Sequence, residues 1–318
     1  MPAAVLRICG RPPALEKRPA PVAGAGEVPV TVAAAPITPL DLLCASGTSY
    51  FGVPATPYVP GVQGVGHRDD GTPVWFATSA GMRPGDGSMA GAVAVPHVDV
   101  VPLPRGVPLP LVAALGLSAV AAHSALVRTG GLTPGETVIV LGAGGVVGQA
   151  AVQLALLSGA GRVVAVARSA AAGERAVRLG AAEAVRLRPD DDPASLADRI
   201  RDAAGPADLV LGPVFGVPAA AALRVLRPGG RLVNLGGSAA PTAPIDSATL
   251  RSGSLRVLGY TNNALSVAQR AESLAEVAGH AAAGRLTVAH EVVPFADVAE
   301  AWSRQAAGDT DGRLVLVL

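Results

Sequence analysis

A glycine-rich turn near the middle of this chain links a strand-like run to a helix-like run. Residues 137–141 are apolar and mostly β-branched, which predicts a buried strand, and residues 146–157 have helical apolar spacing. Glycines allow a tight turn and the close approach of a phosphate, and a helix N-terminus offers free N–H donors. We therefore predict a pyrophosphate site, although the same pattern could form a corner that binds no ligand. The residues expected to bind are Gly142, Ala143, Gly144, Gly145, Val146, Val147 and Gly148.

The residues after the second strand indicate which nucleotide is bound. Strand 162–166 is followed by Ala167, Arg168 and Ser169, where a fold that selects NAD usually carries Asp or Glu for the ribose 2′-hydroxyl. Arg168 could bind a 2′-phosphate through two hydrogen bonds, and Ser169 could add another. The pattern favours NADPH over NADH as cofactor. The alternative is a solvated arginine at the end of a strand.

Two further loops follow strands of the same predicted sheet. Gly236, Gly237 and Ser238 follow the fifth strand, where we expect the backbone to contact the nicotinamide half of the cofactor. Val214 and Phe215 follow the fourth strand and are expected to face the nucleotide. Phe215 could instead belong to the core.

Strands and helices alternate from about residue 136. Alternation of this kind predicts an α/β fold with a parallel sheet and helices on both faces. Strands are expected at 137–141, 162–166, 184–187, 208–211, 231–235 and 254–258, with helices at 146–157, 170–179, 194–203 and 217–226. Six strands suit a Rossmann doubly wound sheet, with its ligand where the strand order reverses.

The flanking sequence has a different pattern. Short strand-like runs at 3–8, 27–34, 73–77 and 90–95 are separated by Pro- and Gly-rich turns, and prolines are expected to break regular structure at 102–110. A helix is expected at 111–127. Beyond 261 we expect a helix at 266–283, a strand at 287–292, a helix at 297–307 and a strand at 313–318. The predicted domains are 1–113, 114–260 and a return segment at 261–318.

Composition limits the classes of partner. The 318 residues suffice for two domains with proper cores, and the formal net charge of +1 gives no electrostatic case for binding nucleic acid or a membrane surface. Cys9 and Cys44 are too few for a disulfide framework or a four-thiolate metal site. We find no uninterrupted apolar stretch of about 18 residues and no signal-peptide pattern, so we expect a cytoplasmic protein.

Several segments together resemble the medium-chain dehydrogenase/reductase superfamily, and its zinc-independent quinone oxidoreductase branch in particular. The segments are 34–41 (AAPITPLD), 59–66 (VPGVQGVG), 142–148, 179–181 (LGA), 226–231 (LRPGGR) and 259–262 (GYTN). The resemblance implies a Rossmann domain inserted in a GroES-like, β-rich catalytic domain. It also implies hydride transfer from NADPH to a quinone or an α,β-unsaturated carbonyl. Tyr260 and Asn262 match positions near the cofactor, with ordinary loop packing as the alternative.

The resemblance also bears on zinc. Relatives that use catalytic zinc would place its ligands at Thr38, at Val62 and Gln63, and at Leu115. Catalytic zinc needs three protein ligands with N, S or carboxylate donors, which Val and Leu cannot supply. The histidines show no ligand spacing; they are His67, His97, His123, His280 and His290. We therefore predict no metal.

Without a metal, other groups must stabilise a developing oxyanion and supply a proton. Tyr50 is the candidate donor, but it lies one residue later than the Tyr of related enoyl reductases and could instead line a substrate pocket. Thr38 and Asp41 lie where relatives carry Asn and Asp in an N-x-x-D pattern, and we favour Asp41 as a helix-end or structural carboxylate. Gln63 could donate to substrate or nicotinamide, or could be a buried polar group satisfied by backbone.

These observations leave two classes of function open. One is a quinone or enone reductase, with a pathway-specific enoyl reductase as a close variant. The other is a nucleotide-binding protein without useful turnover, because a fold does not prove catalysis. The resemblance implies a homodimer, in which strand 251–258 would pair with its mate across a two-fold axis.

Overall fold

The structure is a computed structural model and describes residues 1–318. The chain divides into two compact units, which we call unit 1 and unit 2. Unit 1 consists of Met1–Leu117 and Val267–Leu318, and unit 2 is Ser118–Ser266. Both boundaries lie a few residues beyond the positions expected from the sequence.

Unit 1 begins with short strands and one helix. The elements are β1 (Pro2–Val5), β2 (Ala14–Lys17), β3 (Glu27–Pro36), α1 (Pro39–Ser46), β4 (Gln63–His67), β5 (Pro73–Ala77), β6 (Ala92–Pro96) and β7 (Val100–Pro102). The strands near 3, 27, 73 and 90 were expected, whereas β2, β4 and β7 were not, and of α1 only a helix end at Asp41 was favoured. β4 was missed because two of its five residues are glycine, which is depleted in strands.

Helix α1 depends on its N-terminal cap more than on apolar periodicity. Thr38 is the N-cap: its hydroxyl oxygen accepts from the Asp41 backbone N–H, and the Asp41 carboxylate accepts from the Thr38 backbone N–H. Pro39 follows at the first helical position, where its missing N–H costs nothing. This capping box explains a helix in a stretch that was predicted to be mainly β.

The next helix crosses the boundary between the units in sequence. Helix α2 (Leu109–Ser124) continues into a π-helical turn, Ala125–Thr129. The expected helix at 111–127 is therefore present, but it starts earlier, because Pro110 in a first turn does not break a helix. Its backbone leaves the helical region at Gly116, where φ is 29° and ψ is −131°.

The segment Leu109–Thr129 is long and apolar enough to cross a membrane. The segment has 21 residues; its most apolar 18 residues have a mean hydropathy of 1.8, and 61% of them are buried inside the structure. Ser118, His123 and Ser124 interrupt this apolar run, in agreement with the expectation that no uninterrupted apolar stretch of about 18 residues exists. Buried core helices have the same length and composition, so this segment alone is weak support for a membrane span.

Unit 2 is built on a six-stranded sheet. Its further elements are β8 (Thr137–Leu141), α3 (Val146–Leu157), β9 (Arg162–Ala167), α4 (Ala170–Arg178), β10 (Glu183–Arg186), α5 (Pro193–Ala204), β11 (Ala207–Gly212), α6 (Val217–Leu223), β12 (Leu226–Asn234), α7 (Ser247–Ser252) and β13 (Arg256–Gly259). All strands are parallel, in the order β10-β9-β8-β11-β12-β13. This order reverses between β8 and β11, which confirms the Rossmann arrangement.

One helix end in unit 2 was predicted wrongly. The helix expected at 217–226 ends at Leu223, and Leu226 already pairs with Ala207 of β11. Residues 227–230 therefore belong to β12, where the register shifts before Leu209 pairs with Arg231. Helix α7 was not expected, and Asp246 caps it by accepting from the Thr249 backbone N–H. The edge strand expected at 251–258 is therefore wrong at its start, because residues 251 and 252 belong to α7 and β13 begins at Arg256.

The C-terminal segment returns to the sheet of unit 1. It forms α8 (Val267–Ala282), β14 (His290–Pro294), α9 (Val298–Ala307) and β15 (Arg313–Val317). β15 pairs antiparallel with β3, matching Leu316 to Ala35, and gives the sheet order β14-β15-β3-β4-β5-β7. The two ends of the chain thus form one β-rich unit, with unit 2 inserted between them in sequence, as the expected GroES-like arrangement requires.

Candidate functional site

The predicted glycine turn lies at the carboxyl end of β8. The Ala143 backbone N–H donates to the Val166 carbonyl at 3.0 Å, which ties the turn to the end of β9. Gly148 lies against the turn: a Cβ on it would be 2.4 Å from the Gly142 carbonyl oxygen and 2.6 Å from the Ala143 Cα. Only glycine lets helix α3 approach the strand this closely.

The N-terminus of α3 has no side-chain cap. Its N-cap is Gly145, so no side-chain oxygen competes for the first-turn N–H groups of Val146, Val147 and Gly148, which have no acceptor inside a helix. The buried Gln149 braces the turn by donating from Nε2 to the Gly144 carbonyl at 2.8 Å. Uncapped N–H groups and the positive end of the helix dipole fit a pyrophosphate.

Arg168 and Ser169 lie between β9 and α4, close to the glycine turn. A Cβ on Gly144 would be 3.0 Å from the Ala172 Cβ in the first turn of α4. Ser169 is the N-cap of α4, and its Oγ accepts from the Ala172 backbone N–H at 3.2 Å. Arg168 is exposed and has no hydrogen-bond or carboxylate partner in the chain. Its guanidinium therefore has all five donors available.

The loops after β11 and β12 meet the same edge of the sheet. Val214 packs on the glycine turn, because a Cβ on Gly142 would be 2.9 Å from its Cγ1. Ser238 Oγ donates to the Pro213 carbonyl at 3.4 Å, and the Gly236 backbone N–H donates to Asn234 Oδ1 at 3.3 Å.

Phe215 is half-buried and packs against the core of unit 2, in agreement with its alternative role. Gly237 lies in the loop after β12.

Tyr260 and Asn262 are joined by hydrogen bonds beyond β13. The Tyr260 hydroxyl donates to Asn262 Oδ1 at 2.7 Å, and its backbone N–H donates to the Asn234 carbonyl at the end of β12. Burial raises the pKa of Tyr260 to about 12, although a hydrogen bond with Ser124 and the charge of Arg128 act to lower it. Tyr260 therefore stays neutral and orients the Asn262 amide.

In unit 1, Thr38 and Asp41 form a buried structural cluster. The Asp41 carboxylate accepts from the Thr38 hydroxyl at 2.6 Å, from the Gly61 N–H at 3.1 Å and from the Val62 N–H at 2.9 Å. Burial lowers the pKa of Arg313 to about 10, and the charge of Asp41 counteracts this shift. Both hydrogen bonds of the Thr38 hydroxyl go to Asp41. These contacts give the hydroxyl a structural role, and its catalytic role stays a prediction.

Gln63 is only 1% exposed and lies at the start of β4. Its Oε1 accepts from Trp75 Nε1 at 3.2 Å and from the Leu117 backbone N–H at 2.6 Å. Its Nε2 is buried and has no acceptor. The amide oxygen has its partners within the protein, as expected of a buried polar group. The amide NH2 group has no acceptor, as expected of a donor to a ligand.

Tyr50 lies in the loop after α1. Its side chain is 77% exposed, and its ring lies 4.2 Å from the ring of Phe51. This position leaves the hydroxyl accessible, and the role of proton donor stays a prediction.

The residues at the zinc-ligand positions do not make a metal site. The Thr38 hydroxyl and the Gln63 amide oxygen already have partners within the protein, and Leu115 is fully buried. No group of three His, Cys, Asp or Glu side chains lies close enough to hold a metal ion.

Three residues that support these sites were not predicted to do so. The sequence pattern predicts Gln149 and Ser124 only as parts of helices, and Trp75 only as part of a strand. Gln149 hydrogen-bonds to Gly144 in the glycine turn, and Trp75 to Gln63 on the neighbouring strand. The partner of Ser124 is Tyr260, which is 136 positions away in sequence. Only Gly116, within an apolar helical run, was a visible signal of an interrupted helix.

Comparison with known proteins gives the class. Residues 146–278 match the family model described as zinc-binding dehydrogenase. The quinone oxidoreductase from Thermus thermophilus, whose structure was solved alone and in complex with NADPH, is 31% identical, with all of both chains covered and a TM-score of 0.82. Together with the split fold, these matches show that the chain belongs to the medium-chain dehydrogenase/reductase superfamily.

Two other relatives carry enoyl reductase or polyketide synthase names. A phenolphthiocerol/phthiocerol polyketide synthase protein of Mycobacterium tuberculosis is 33% identical over 91% of this chain. The chain spans only 13% of the length of that protein. The mitochondrial enoyl-[acyl-carrier-protein] reductase of Mus musculus is 28% identical over 74% of this chain and 64% of its own length.

Proposed function

We propose that this chain is an NADPH-dependent, zinc-independent oxidoreductase that transfers a hydride to a quinone or an α,β-unsaturated carbonyl. The observation that carries the proposal is the open carboxyl edge of the sheet in unit 2, where an uncapped helix N-terminus lies beside an arginine without a partner. The relative solved with NADPH supports the same choice of cofactor.

The residues of this edge fit a phosphorylated dinucleotide. The first-turn N–H groups of α3 would hold the pyrophosphate, and Gly148 keeps that helix close to the strand. Arg168 would bind the 2′-phosphate bidentately, with the Ser169 hydroxyl beside it. When bound, NADPH supplies the hydride. Tyr260 would orient the Asn262 amide toward the cofactor, and the loop at 236–238 would support the nicotinamide half through its backbone.

Tyr50 is the proposed proton donor for the reduced substrate. Its exposed hydroxyl is able to exchange its proton with solvent, as a general acid must after each turnover. Tyr50→Phe tests this role. A fall in kcat on enones of about tenfold or more is expected, whereas an unchanged kcat would make Tyr50 a residue of the pocket wall.

A second candidate is a pathway-specific enoyl reductase. It is favoured by the relatives named as a polyketide synthase and as an enoyl reductase. The chemistry is the same, and the acceptor would be an enoyl thioester in place of a free quinone or enone.

Steady-state oxidation of NADPH separates these functions. The proposal predicts turnover with 1,4-naphthoquinone or methyl vinyl ketone, and a lower KM for NADPH than for NADH. Turnover with crotonyl thioesters alone would select the enoyl reductase. Nucleotide binding without turnover of any acceptor would favour the non-catalytic member of the fold and overturn the proposal.

The proposal includes a cytoplasmic homodimer. β13 is the outermost strand of its sheet, and three of its four residues are exposed, Val257 among them at 42%. An unpaired edge of this kind can pair with its copy across a two-fold axis. Sedimentation analysis should give twice the chain mass, and Val257→Pro, which removes a backbone donor from the edge, should shift the protein toward the monomer. A monomeric wild type would contradict this part.

A further inference from the structure

We propose that Gln63 donates its side-chain amide to the oxygen of the hydride acceptor, and that Trp75 is the positioning residue that fixes the amide for this task. This inference rests on the proposed function and names the group that would stabilise the oxyanion. It is drawn from the buried amide of unit 1 and its hydrogen bonds.

The orientation of the Gln63 amide is determined by its neighbours. An indole N–H and a backbone N–H can only donate, so Trp75 and Leu117 can pair only with the amide oxygen. The NH2 group must therefore point away from both. A flipped amide would set donor against donor twice, which excludes the opposite assignment of oxygen and nitrogen.

Three elements hold this amide in place. Gln63 pairs with Ala77 across β4 and β5, so Trp75, two residues before Ala77, lies diagonally opposite on the same face. The Ser88 hydroxyl donates to the Gln63 backbone carbonyl, which fixes the main chain that carries the amide. The break in α2 frees the Leu117 N–H for Oε1, and Gly116 leaves space for the amide, because a Cβ there would be 2.1 Å from Oε1.

The remaining donor has no acceptor within the chain. Gln63 Nε2 is buried and unpaired, whereas buried polar atoms in native proteins almost always have a partner. An unmade buried hydrogen bond destabilises the free protein, so an acceptor oxygen that enters beside Nε2 and displaces the groups covering it would recover this loss. A carbonyl or quinone oxygen is such an acceptor. Its affinity for an N–H donor increases as it becomes an oxyanion, which stabilises the transition state.

The step balances without consuming Gln63. Hydride adds to the β-carbon of an enone, and the π electrons move onto the carbonyl oxygen, which the Gln63 NH2 group binds as an enolate. A proton from a donor or from solvent then adds to the α-carbon, and NADP⁺ leaves. Gln63 keeps both amide protons, so its role is electrostatic.

Gln63→Glu is the variant that tests the donor. The glutamate keeps an oxygen for Trp75 and Leu117 but replaces the NH2 group with a second oxygen. We expect kcat with 2-cyclohexen-1-one to fall at least tenfold, while the Kd for NADPH stays within about twofold. Gln305→Glu is the matched control, because the Gln305 Oε1 also accepts a backbone N–H and its Nε2 already has a partner. It should retain wild-type kcat.

Trp75→Phe tests the positioning role. It removes one of two donors to Oε1, so the loss of kcat should be smaller than for Gln63→Glu. A structural brace would lower stability without changing kcat in the folded fraction. An unchanged kcat in Trp75→Phe would overturn the positioning role.

A measurement on the wild type needs no turnover. The Gln63 NH2 proton signals, identified by their loss in Gln63→Glu, should shift when 2-cyclohexen-1-one is added together with NADP⁺. If they do not shift and Gln63→Glu retains full kcat, Gln63 only braces the helix break and the inference is wrong. A shift in a protein that turns over no acceptor would overturn the proposed function and leave the binding role intact.

Discussion

The parallel sheet in unit 2 has an arginine at each edge, and the two differ in burial and in hydrogen bonding. At the amino edge, Arg231 is buried and every part of its guanidinium is used. Nε donates to the Gly130 carbonyl, Nη1 to Glu136 and the Asp208 carbonyl, and Nη2 to Glu136 and the Gly131 carbonyl. At the carboxyl edge, Arg168 is exposed and has no partner.

The same contrast holds for the backbone of the two edges. At the amino edge the polar groups bind one another. The Asp208 carboxylate accepts from the Thr137 N–H at 2.8 Å and also forms an ion pair with Arg227. The carboxyl edge leaves the first turn of α3 uncapped. A protein satisfies its polar groups where they serve stability, and it leaves donors open where a ligand provides the acceptor. The following predictions separate these two roles.

The largest effect is expected at the amino edge. Arg231→Leu leaves the half-buried Glu136 without its cationic partner, and removing one member of a largely buried pair costs up to about 3–5 kcal/mol. Urea unfolding should show this loss. Arg162→Ala is the control, because it removes an exposed ion pair with Glu183, worth less than about 1 kcal/mol, and one hydrogen bond to the Ala203 carbonyl, worth about 1 kcal/mol. A loss in Arg231→Leu no larger than in the control would show that the amino edge does not stabilise the fold.

The next effect is expected at the glycine turn. Gly148→Ala places a Cβ 2.4 Å from the Gly142 carbonyl, so α3 must move away from the strand. We expect a loss of about 1–3 kcal/mol in stability and at least a tenfold loss of affinity for NADPH by calorimetry, about 1.4 kcal/mol.

Gly145→Ala is the matched control for the fold at this turn. A Cβ there has no atom nearer than 3.7 Å, and the backbone angles suit alanine, so stability should be unchanged or slightly raised. Gly148→Ala binding NADPH with wild-type affinity would show that the turn does not hold the pyrophosphate.

The smallest effect is a pH dependence of the amino edge. Burial alone would raise the pKa of Glu136, but the hydrogen bonds from Arg231 and the Thr133 N–H and the charge of Arg231 outweigh it, and the pKa lies below 4.5. The stability from this pair is therefore fully present above pH 4.5 and is lost as pH falls through the lower pKa of the folded state. Wild type should lose more stability than Glu136→Gln on acidification. Parallel losses would contradict the pairing.

Much of the fold could be predicted because local pattern and tertiary environment agree. Strand 137–141 and helix 146–157 were predicted with the bounds that the structure has, since a buried parallel strand is an apolar run and its helix has a regular apolar face. The extent of helix α1 was missed because its capping box outweighs weak periodicity, although the helix-end role favoured for Asp41 is confirmed. The end of α6 at Leu223 was missed because pairing of Leu226 with β11 overrides helix propensity.

The site divides in the same way. The residues expected to bind the nucleotide follow strands that end at one edge of a sheet, so strand order alone brings them together. The orientation of the Gln63 side-chain amide depends on Trp75, its diagonal neighbour across two strands, and on the helix break at Gly116. Cross-strand register and the partner of a side-chain amide have no signal in a single sequence.

Titration of the wild type and Arg168→Ala with NADPH and NADH tests the central claim most directly. Arg168 is exposed and has no hydrogen bond or ion pair in the chain, so the variant should unfold like the wild type. We predict one NADPH bound per chain, tighter than NADH, and a loss of about 1–3 kcal/mol, or roughly 5- to 150-fold, for NADPH alone in the variant. Wild type that binds neither nucleotide, or a variant that keeps the full preference for NADPH, would contradict the assignment of the open edge as an NADPH site.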